Sequence, residues 1–236
     1  MKPSTRSGAA PALGVVLAGG RSRRLGVDKT GLRLVRHGFE LTLVEWAARR
    51  LAPWCEGVVV AGPPGLAPHG LRAVADGPAP GPAGGLLGAA RAAPGRPLLV
   101  LACDLPWLPA NSLGRLTAAA RAGGVGLALF RSAGGLEPLC AWWGPRSLAR
   151  LAARCASGDP SLWSLAEEPG IDCAVLDGEA LGAEAFFNLN RPDDLERFLA
   201  REARQEARPG ARLGGRRGDQ PEGATPDASS RRNSKR

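Results

Sequence analysis

Residues 13–31 read LGVVLAGGRSRRLGVDKTG. An apolar run over 13–18 passes at once into Gly19 and Gly20, and Arg21, Arg23, Arg24, Gly26, Asp28 and Lys29 follow. A short apolar run ended by glycines predicts a buried parallel strand whose carboxyl end opens into a loop, which is where open α/β sheets bind ligands. Glycine has no Cβ, so the backbone at Gly19 and Gly20 can lie against a ligand and offer N–H groups to anionic oxygens. The loop follows neither the P-loop pattern G-x-x-x-x-G-K-[ST] nor the dinucleotide fingerprint G-x-G-x-x-G.

Outward from this stretch, apolar residues at 41, 44, 47, 48 and 51 share one helical face, and residues 57–61, GVVVA with three β-branched valines, follow as a strand. Strand, loop, helix, strand predicts a right-handed parallel crossover. Residues 71–75 read as a short strand ended by Asp76. Residues 77–85, GPAPGPAGG, hold too much Pro and Gly for regular structure, and a helix is predicted over 86–93. The most hydrophobic strand, 97–102, runs into Cys103, Asp104, Leu105 and Pro106. A carboxylate just past a buried strand is costly to leave inside uncompensated, so Asp104 faces solvent or pairs with a cation. Beyond it the pattern predicts helices over 110–122, 146–156 and 162–168, with Asn111 or Ser112 capping the first. It predicts strands over 125–130, 139–143 (introduced by Glu137 and Pro138), 172–176 and 186–190. A last helix runs from Pro192 to about 203, with proline at its first position and Asp193 and Asp194 near its positive end.

The length of 236 residues suits one α/β domain, placed at 13–204, with extensions. No apolar run approaches the roughly 18 residues of a membrane span. Residues 1–12 have no apolar core of a secretory signal and are expected to be disordered, so a cytoplasmic location is expected. The five cysteines, at 55, 103, 140, 155 and 173, form no C-x-x-C pair and read as reduced, mostly buried thiols. His37 and His69 sit beside Gly38 and Pro68 and read as surface residues. Of the net charge of +9, residues 201–236 carry +5, ten Lys and Arg against five Asp and Glu. That segment is dense in Pro and Gly, so residues 205–236 are expected to form a disordered basic tail. The remaining +4 on residues 1–200 calls for no nucleic acid.

Over its whole length the opening stretch resembles the L-A-G-G-x-S-x-R-x-G-x-D-K signature of the molybdenum cofactor guanylyltransferases, in the nucleotidyltransferase superfamily. Leu17, Ala18, Gly19, Gly20, Ser22, Arg24, Gly26, Asp28 and Lys29 all fall in that spacing. Three later elements are similar to family landmarks. They are Asp76 with the Gly81, Pro82, Ala83, Gly84, Gly85 turn; Cys103, Asp104, Leu105, Pro106; and Asn188, Asn190, Pro192, Asp194, Leu195. The resemblance covers residues 13–200 and implies a three-layer, Rossmann-like nucleotidyltransferase fold with a mostly parallel central sheet.

It further implies GMP transfer from GTP to the terminal phosphate of molybdenum-carrying molybdopterin, with Mg2+ as cofactor. Leu17, Ala18, Gly19, Gly20, Lys29, Asp76 and Asp104 would meet the nucleotide, and Asp104 would also hold the metal. Lys29, Asp104 and Arg24 would form the catalytic set, and Asn188 and Asn190 would face the acceptor. Partners would include proteins that deliver molybdopterin and the molybdoenzymes that receive the product, with no nucleic acid or membrane. Such chemistry needs fixed cationic and backbone donors and a hard cation on the phosphates. A phosphate monoester is mostly dianionic at neutral pH, its second pKa being about 6, so no general base is required.

The chain departs from the family at Ala61, where an Asn usually helps hold the nucleotide. A molybdopterin cytidylyltransferase or a sugar-phosphate nucleotidyltransferase of the same fold is the alternative. Cytidylyl relatives usually carry Ala where Gly19 stands, and sugar-phosphate enzymes a G-x-G-T-R loop, so both features favour guanylyl transfer. A non-catalytic adaptor using the basic tail is a rival of another class, opposed by Asp28, Lys29, Asp76 and Asp104 occurring together.

Overall fold

The computed structural model describes residues 11–19, 32–36 and 39–206. In chain order they form β1 (Leu13–Leu17), β2 (Arg33–Arg36), β3 (Phe39–Thr42), α1 (Leu43–Leu51), β4 (Gly57–Ala61), β5 (Arg72–Val74), α2 (Gly81–Ala92) and β6 (Leu98–Ala102). Then come α3 (Ser112–Gly123), β7 (Leu127–Ser132), β8 (Gly135–Trp143), α4 (Pro145–Ala156), α5 (Leu162–Ala166), β9 (Cys173–Asp177) and α6 (Pro192–Glu206). Seven strands make one sheet in the order β5-β4-β1-β6-β8-β7-β9, while β2 and β3 pair only with each other. Within the large sheet β8 alone runs against the rest, so the sheet is mostly parallel, as the apolar runs predict.

β1 and β6 are buried along their whole length, which is why they read as unbroken apolar runs. Alternate residues face opposite layers. Val16, Val60, Leu99 and Leu101 pack with α1, α3 and Phe198 of α6, whereas Val15, Leu17, Val59 and Val100 pack with α2, α4 and α5. Helices thus cover both faces, giving the three layers expected. Ala12 is fully buried, and its carbonyl accepts from the Glu56 amide at 3.3 Å, so the packed chain includes residues before 13; α6 continues past 204 to Glu206.

Three local expectations are corrected. Residues 41–42 belong to β3, not to a helix, and α1 starts at Leu43 behind a capping box. There the Glu45 amide donates to Thr42 Oγ1 and the Thr42 amide to Glu45 Oε2, at 3.1 and 2.8 Å. α2 starts at Gly81, inside the Pro-Gly stretch read as irregular. Pro82 sits in its first turn, and its glycines let it approach the sheet: a Cβ on Gly85 would lie 2.9 Å from Leu17 Cδ2. Residues 186–190 are not a strand. Phe186 packs on Phe130 of β7 and Phe187 on Trp107 in the loop after β6, so the rings are used in side-chain packing while the backbone forms no ladder.

Candidate active site

The site is built where β1, β4, β5 and β6 end. The Ala18 amide donates to the Ala61 carbonyl at 3.2 Å, and the Cys103 amide to the Leu17 carbonyl at 3.2 Å, so the exit of β1 is tied to both neighbours. Leu17 and Ala18 are buried while Gly19 is exposed. A Cβ on Gly19 would lie 3.9 Å from Asp76 Oδ2, which places the glycine loop's first residue against the carboxylate beyond β5. Asp76 is held there by α2. A Cβ on Gly88 would come within 2.1 Å of the Ala75 carbonyl and one on Gly84 within 2.3 Å of that of Ala79, and the Gly77 amide donates to the Gly84 carbonyl at 2.7 Å. Only glycine allows the helix this close.

Asp104 follows β6 and is half-buried. Its carbonyl accepts from the Leu189 amide at 3.0 Å, which brings the segment with Asn188 and Asn190 to the same sheet edge. Leu189 is buried between two exposed asparagines. Asn188 Nδ2 donates to the Phe186 carbonyl at 3.2 Å. The Asn190 and Arg191 amides donate to Asp194 Oδ2 at 3.0 and 2.8 Å, which fixes the entry into α6. Asn188 lines a cleft of about 630 Å³ between the β7–β8 turn and residues 178–188; Asn190 does not line it. A larger groove of about 860 Å³ between α2 and α4 contains none of the site residues.

The structure therefore brings together Leu17, Ala18, Gly19 and Asp76 on one side and Asp104, Asn188 and Asn190 on the other. Gly20, Arg24 and Lys29, with Ser22, Gly26 and Asp28, lie outside the described residues, as do His37 and residues 207–236. Ala61 is 1% exposed and its Cβ faces Gly85 of α2, so at this position the chain uses a small side chain for packing rather than for a ligand. The cysteines are free, and burial pushes Cys55 up to about 12, so it is no nucleophile at neutral pH.

One residue of the site has no family landmark to mark it. Glu137, half-buried on β8, titrates above the ordinary carboxylate range because burial disfavours its charge; the Ser132 hydroxyl opposes the shift and the charge of Asp104 adds to it. Asp104 and Glu137 are thus electrostatic neighbours. The only sequence signal was a carboxylate two residues into an apolar strand.

For a divalent cation, the described residues contain no cluster of three or more His, Cys, Asp or Glu. The donor set fits Mg2+ all the same, since that ion binds through one or two carboxylates and completes its shell with water and substrate phosphates. Asp104, half-buried and electrostatically coupled to a second carboxylate, has the hard oxygen donors that would suit such a shell.

Gly19 beside one carboxylate, a second carboxylate beyond the central strand and a cleft on its far side lie along one sheet edge, and the family of the chain makes it a nucleotidyltransferase. The MobA-like NTP transferase domain matches residues 14–173, and the chain belongs to that family. The molybdenum cofactor guanylyltransferase of Cereibacter sphaeroides is 36% identical over 192 residues, covering 78% of this chain and 93% of that protein. Among solved structures, the molybdopterin-guanine dinucleotide biosynthesis protein A of Archaeoglobus fulgidus superposes with a TM-score of 0.68 at 23% identity, covering 81% of this chain and 99% of that one. A Mycobacterium tuberculosis protein crystallised in complex with manganese shares the fold at a TM-score of 0.58 and 21% identity, with 81% and 99% covered.

Proposed function

We propose that this protein transfers GMP from GTP to the terminal phosphate of molybdenum-carrying molybdopterin, giving the guanine dinucleotide form of the cofactor and pyrophosphate. The observation that carries the reading is the 36% identity to a molybdenum cofactor guanylyltransferase across 93% of its length. The placement of Gly19, Asp76 and Asp104 along one sheet edge supports it.

In this mechanism the backbone at Leu17, Ala18, Gly19 and Gly20, with Asp76, positions the nucleotide, and Lys29 and Arg24 supply positive charge to the triphosphate. Asp104 would hold Mg2+, which would supply charge neutralisation for the triphosphate and the departing pyrophosphate. Asn188 and Asn190 orient the acceptor. An oxygen of its dianionic phosphate attacks the α-phosphorus in line; the new P–O bond forms as the bond to pyrophosphate breaks. The attacking group carries no proton to remove, so Glu137 is not required as a base. Molybdoenzymes that accept the dinucleotide cofactor, and the proteins that deliver molybdopterin, are the partners this reaction calls for. Among the described residues no helix is long and apolar enough to cross a membrane; the reaction is placed in the cytoplasm as part of this proposal.

The experiment is pyrophosphate release with GTP or CTP, with Mg2+ or Mn2+, in the presence and absence of molybdopterin. Release that needs GTP, metal and molybdopterin together is expected. Release with CTP in preference to GTP would move the assignment to the cytidylyl enzymes of the same fold, and release with sugar phosphates alone to the other relatives.

A further inference from the structure

The pairing of β6 with β8 carries Glu137 to the heart of the site. Leu98 pairs with Trp143 and Leu101 with Cys140; past this last pair β6 gives way to the turn with Asp104, while β8 reaches back to Glu137, near enough for the charge of Asp104 to act on its carboxylate. Because β8 runs against its neighbours, its beginning lies at the edge where β1 and β6 end. The carboxylate is fixed from behind. Ser132 Oγ donates to Glu137 Oε1 at 2.6 Å, and the Gly134 amide donates to Ser132 Oγ at 3.0 Å, so the β7–β8 turn sets the orientation of the glutamate. Among the described residues no Lys or Arg forms an ion pair with Glu137. With one hydroxyl donor, the half-buried carboxylate keeps acceptor capacity for a group in the cleft.

The cleft it faces is about 630 Å³, within the range of about 300–1,000 Å³ usual for small-ligand sites, and Trp163, Phe186, Phe187 and Asn188 also line it. In the sheet order Gly19 and Asp76 lie on the β1–β5 side of Asp104 and this cleft on the β8–β9 side. With the nucleotide on the first side, the second is left for the acceptor. The ring of that acceptor, a 2-amino-4-oxo pterin, presents two adjacent N–H donors, at N3 and the 2-amino group. A carboxylate is the side chain that accepts both at once.

We propose that Glu137 is a specificity-determining residue for the acceptor, its carboxylate oxygens taking the N3–H and 2-amino N–H of the pterin while Phe187 and Trp163 flank the ring. This rests on the guanylyl-transfer reading above. Glu137→Gln keeps the size and an oxygen for Ser132 but turns an N–H group toward the pterin donors. The variant should raise the KM for molybdopterin at least about tenfold, the loss of a charge-assisted hydrogen bond. Its GTP affinity by titration and its Mn2+ affinity by electron paramagnetic resonance, both also showing that it is folded, should match wild type. Binding of 6-hydroxymethylpterin phosphate is then compared with that of its lumazine counterpart, in which the 2-amino group is replaced by oxygen. Wild type should prefer the pterin by about tenfold, and the variant should lose the preference.

An unchanged KM with an unchanged pterin preference overturns the proposal while guanylyl transfer stands. A loss of Mn2+ affinity as large as that of Asp104→Asn also overturns it, by making Glu137 a metal ligand. If wild type releases no pyrophosphate with GTP and molybdopterin, the reaction itself has been misassigned and the pterin role falls with it.

Discussion

The Leu189 amide donates to the Asp104 carbonyl at 3.0 Å, so two segments 85 residues apart in the chain meet at one point of the sheet edge. The bond is made by backbone atoms and survives any substitution of the Asp104 side chain. Architecture and chemistry at Asp104 can therefore be separated.

Asp104→Asn should leave the fold in place and abolish most of the activity. The amide keeps the size of the side chain but loses the charge that holds the cation. Loss of metal-based charge stabilisation is worth several kcal/mol in the transition state, so kcat should fall roughly a hundredfold or more. The melting temperature without nucleotide should hold or rise, because the repulsion between Asp104 and Glu137 is removed. For the same reason the Glu137 titration, followed by NMR of its carboxyl carbon, should move down toward the ordinary range. Near wild-type turnover with normal metal dependence would shift the metal role to another carboxylate, Asp76 first.

Gly19→Ala and Gly88→Ala should separate function from packing. At Gly19 the added methyl would meet nothing nearer than 3.9 Å among the described residues, so thermal stability should be unchanged. If guanine lies against this backbone, relative kcat/KM should shift away from GTP toward CTP by about tenfold, the size of small steric effects in a pocket. At Gly88 the methyl would lie 2.1 Å from the Ala75 carbonyl. Overpacking of this kind costs about 1–3 kcal/mol, and at this chain length each kcal/mol is about 2–4 °C in Tm. Thermal melts of both variants, with GTP and CTP kinetics on Gly19→Ala, check the pair.

The α4–α5 corner should be sensitive to acid. Glu168, 15% exposed, is bonded by Arg150 and, at 3.0 Å, by Arg154, which also holds Asp159. The Arg150 bond, then the Arg154 bond, outweigh partial burial and hold Glu168 below the ordinary carboxylate range. A depressed value in the folded state means that the stabilisation is complete above the unfolded value, about 4.3 for glutamate, and is lost as pH falls through the folded one. Glu168→Gln should therefore melt lower than wild type at pH 7, with the gap closing below about pH 4. High salt at pH 7 should narrow it too. A gap independent of pH would show that packing, not charge, carries the effect.

The strand ends that carry Gly19, Asp76 and Asp104 were legible because their signals are local. β1, β4 and β6 are central strands that announce themselves as apolar runs, and Gly19, Asp76 and Asp104 follow a strand end directly. The placement of Glu137 near Asp104 was not, since it depends on the pairing of strands whose partner residues are some forty positions apart, and nothing around residue 137 encodes that. The start of α2 was hidden for the opposite reason. Its Pro and Gly content argues against a helix by propensity, whereas close approach to Ala75 and Leu17 demands those glycines. FFNLN has strand composition, but Phe187 stacks on Trp107 and Phe186 meets Phe130 at a tilt.

Phe187→Leu should weaken the acceptor half of the site selectively. Trp107, three residues after Asp104, stacks on Phe187 with ring centroids 4.0 Å apart and planes 20° apart, and Arg197 lies 4.9 Å from the centre of the Phe187 ring. The stack pins the residue next to Asn188 to the loop that carries Asp104. Leucine preserves most of the apolar burial but not the ring geometry, which is worth about 0.5–1.5 kcal/mol. A Tm loss of a few degrees is expected, with the KM for molybdopterin rising several-fold and GTP affinity unchanged, because Gly19 and Asp76 lie on the other side of Asp104 in the sheet order. Steady-state kinetics with each substrate varied in turn, and GTP titration on the same sample, distinguish this from general loosening, which would weaken both substrates together. A fall in GTP affinity with an unchanged KM for molybdopterin would mean that this cleft serves the nucleotide, and would reverse the assignment of the two halves.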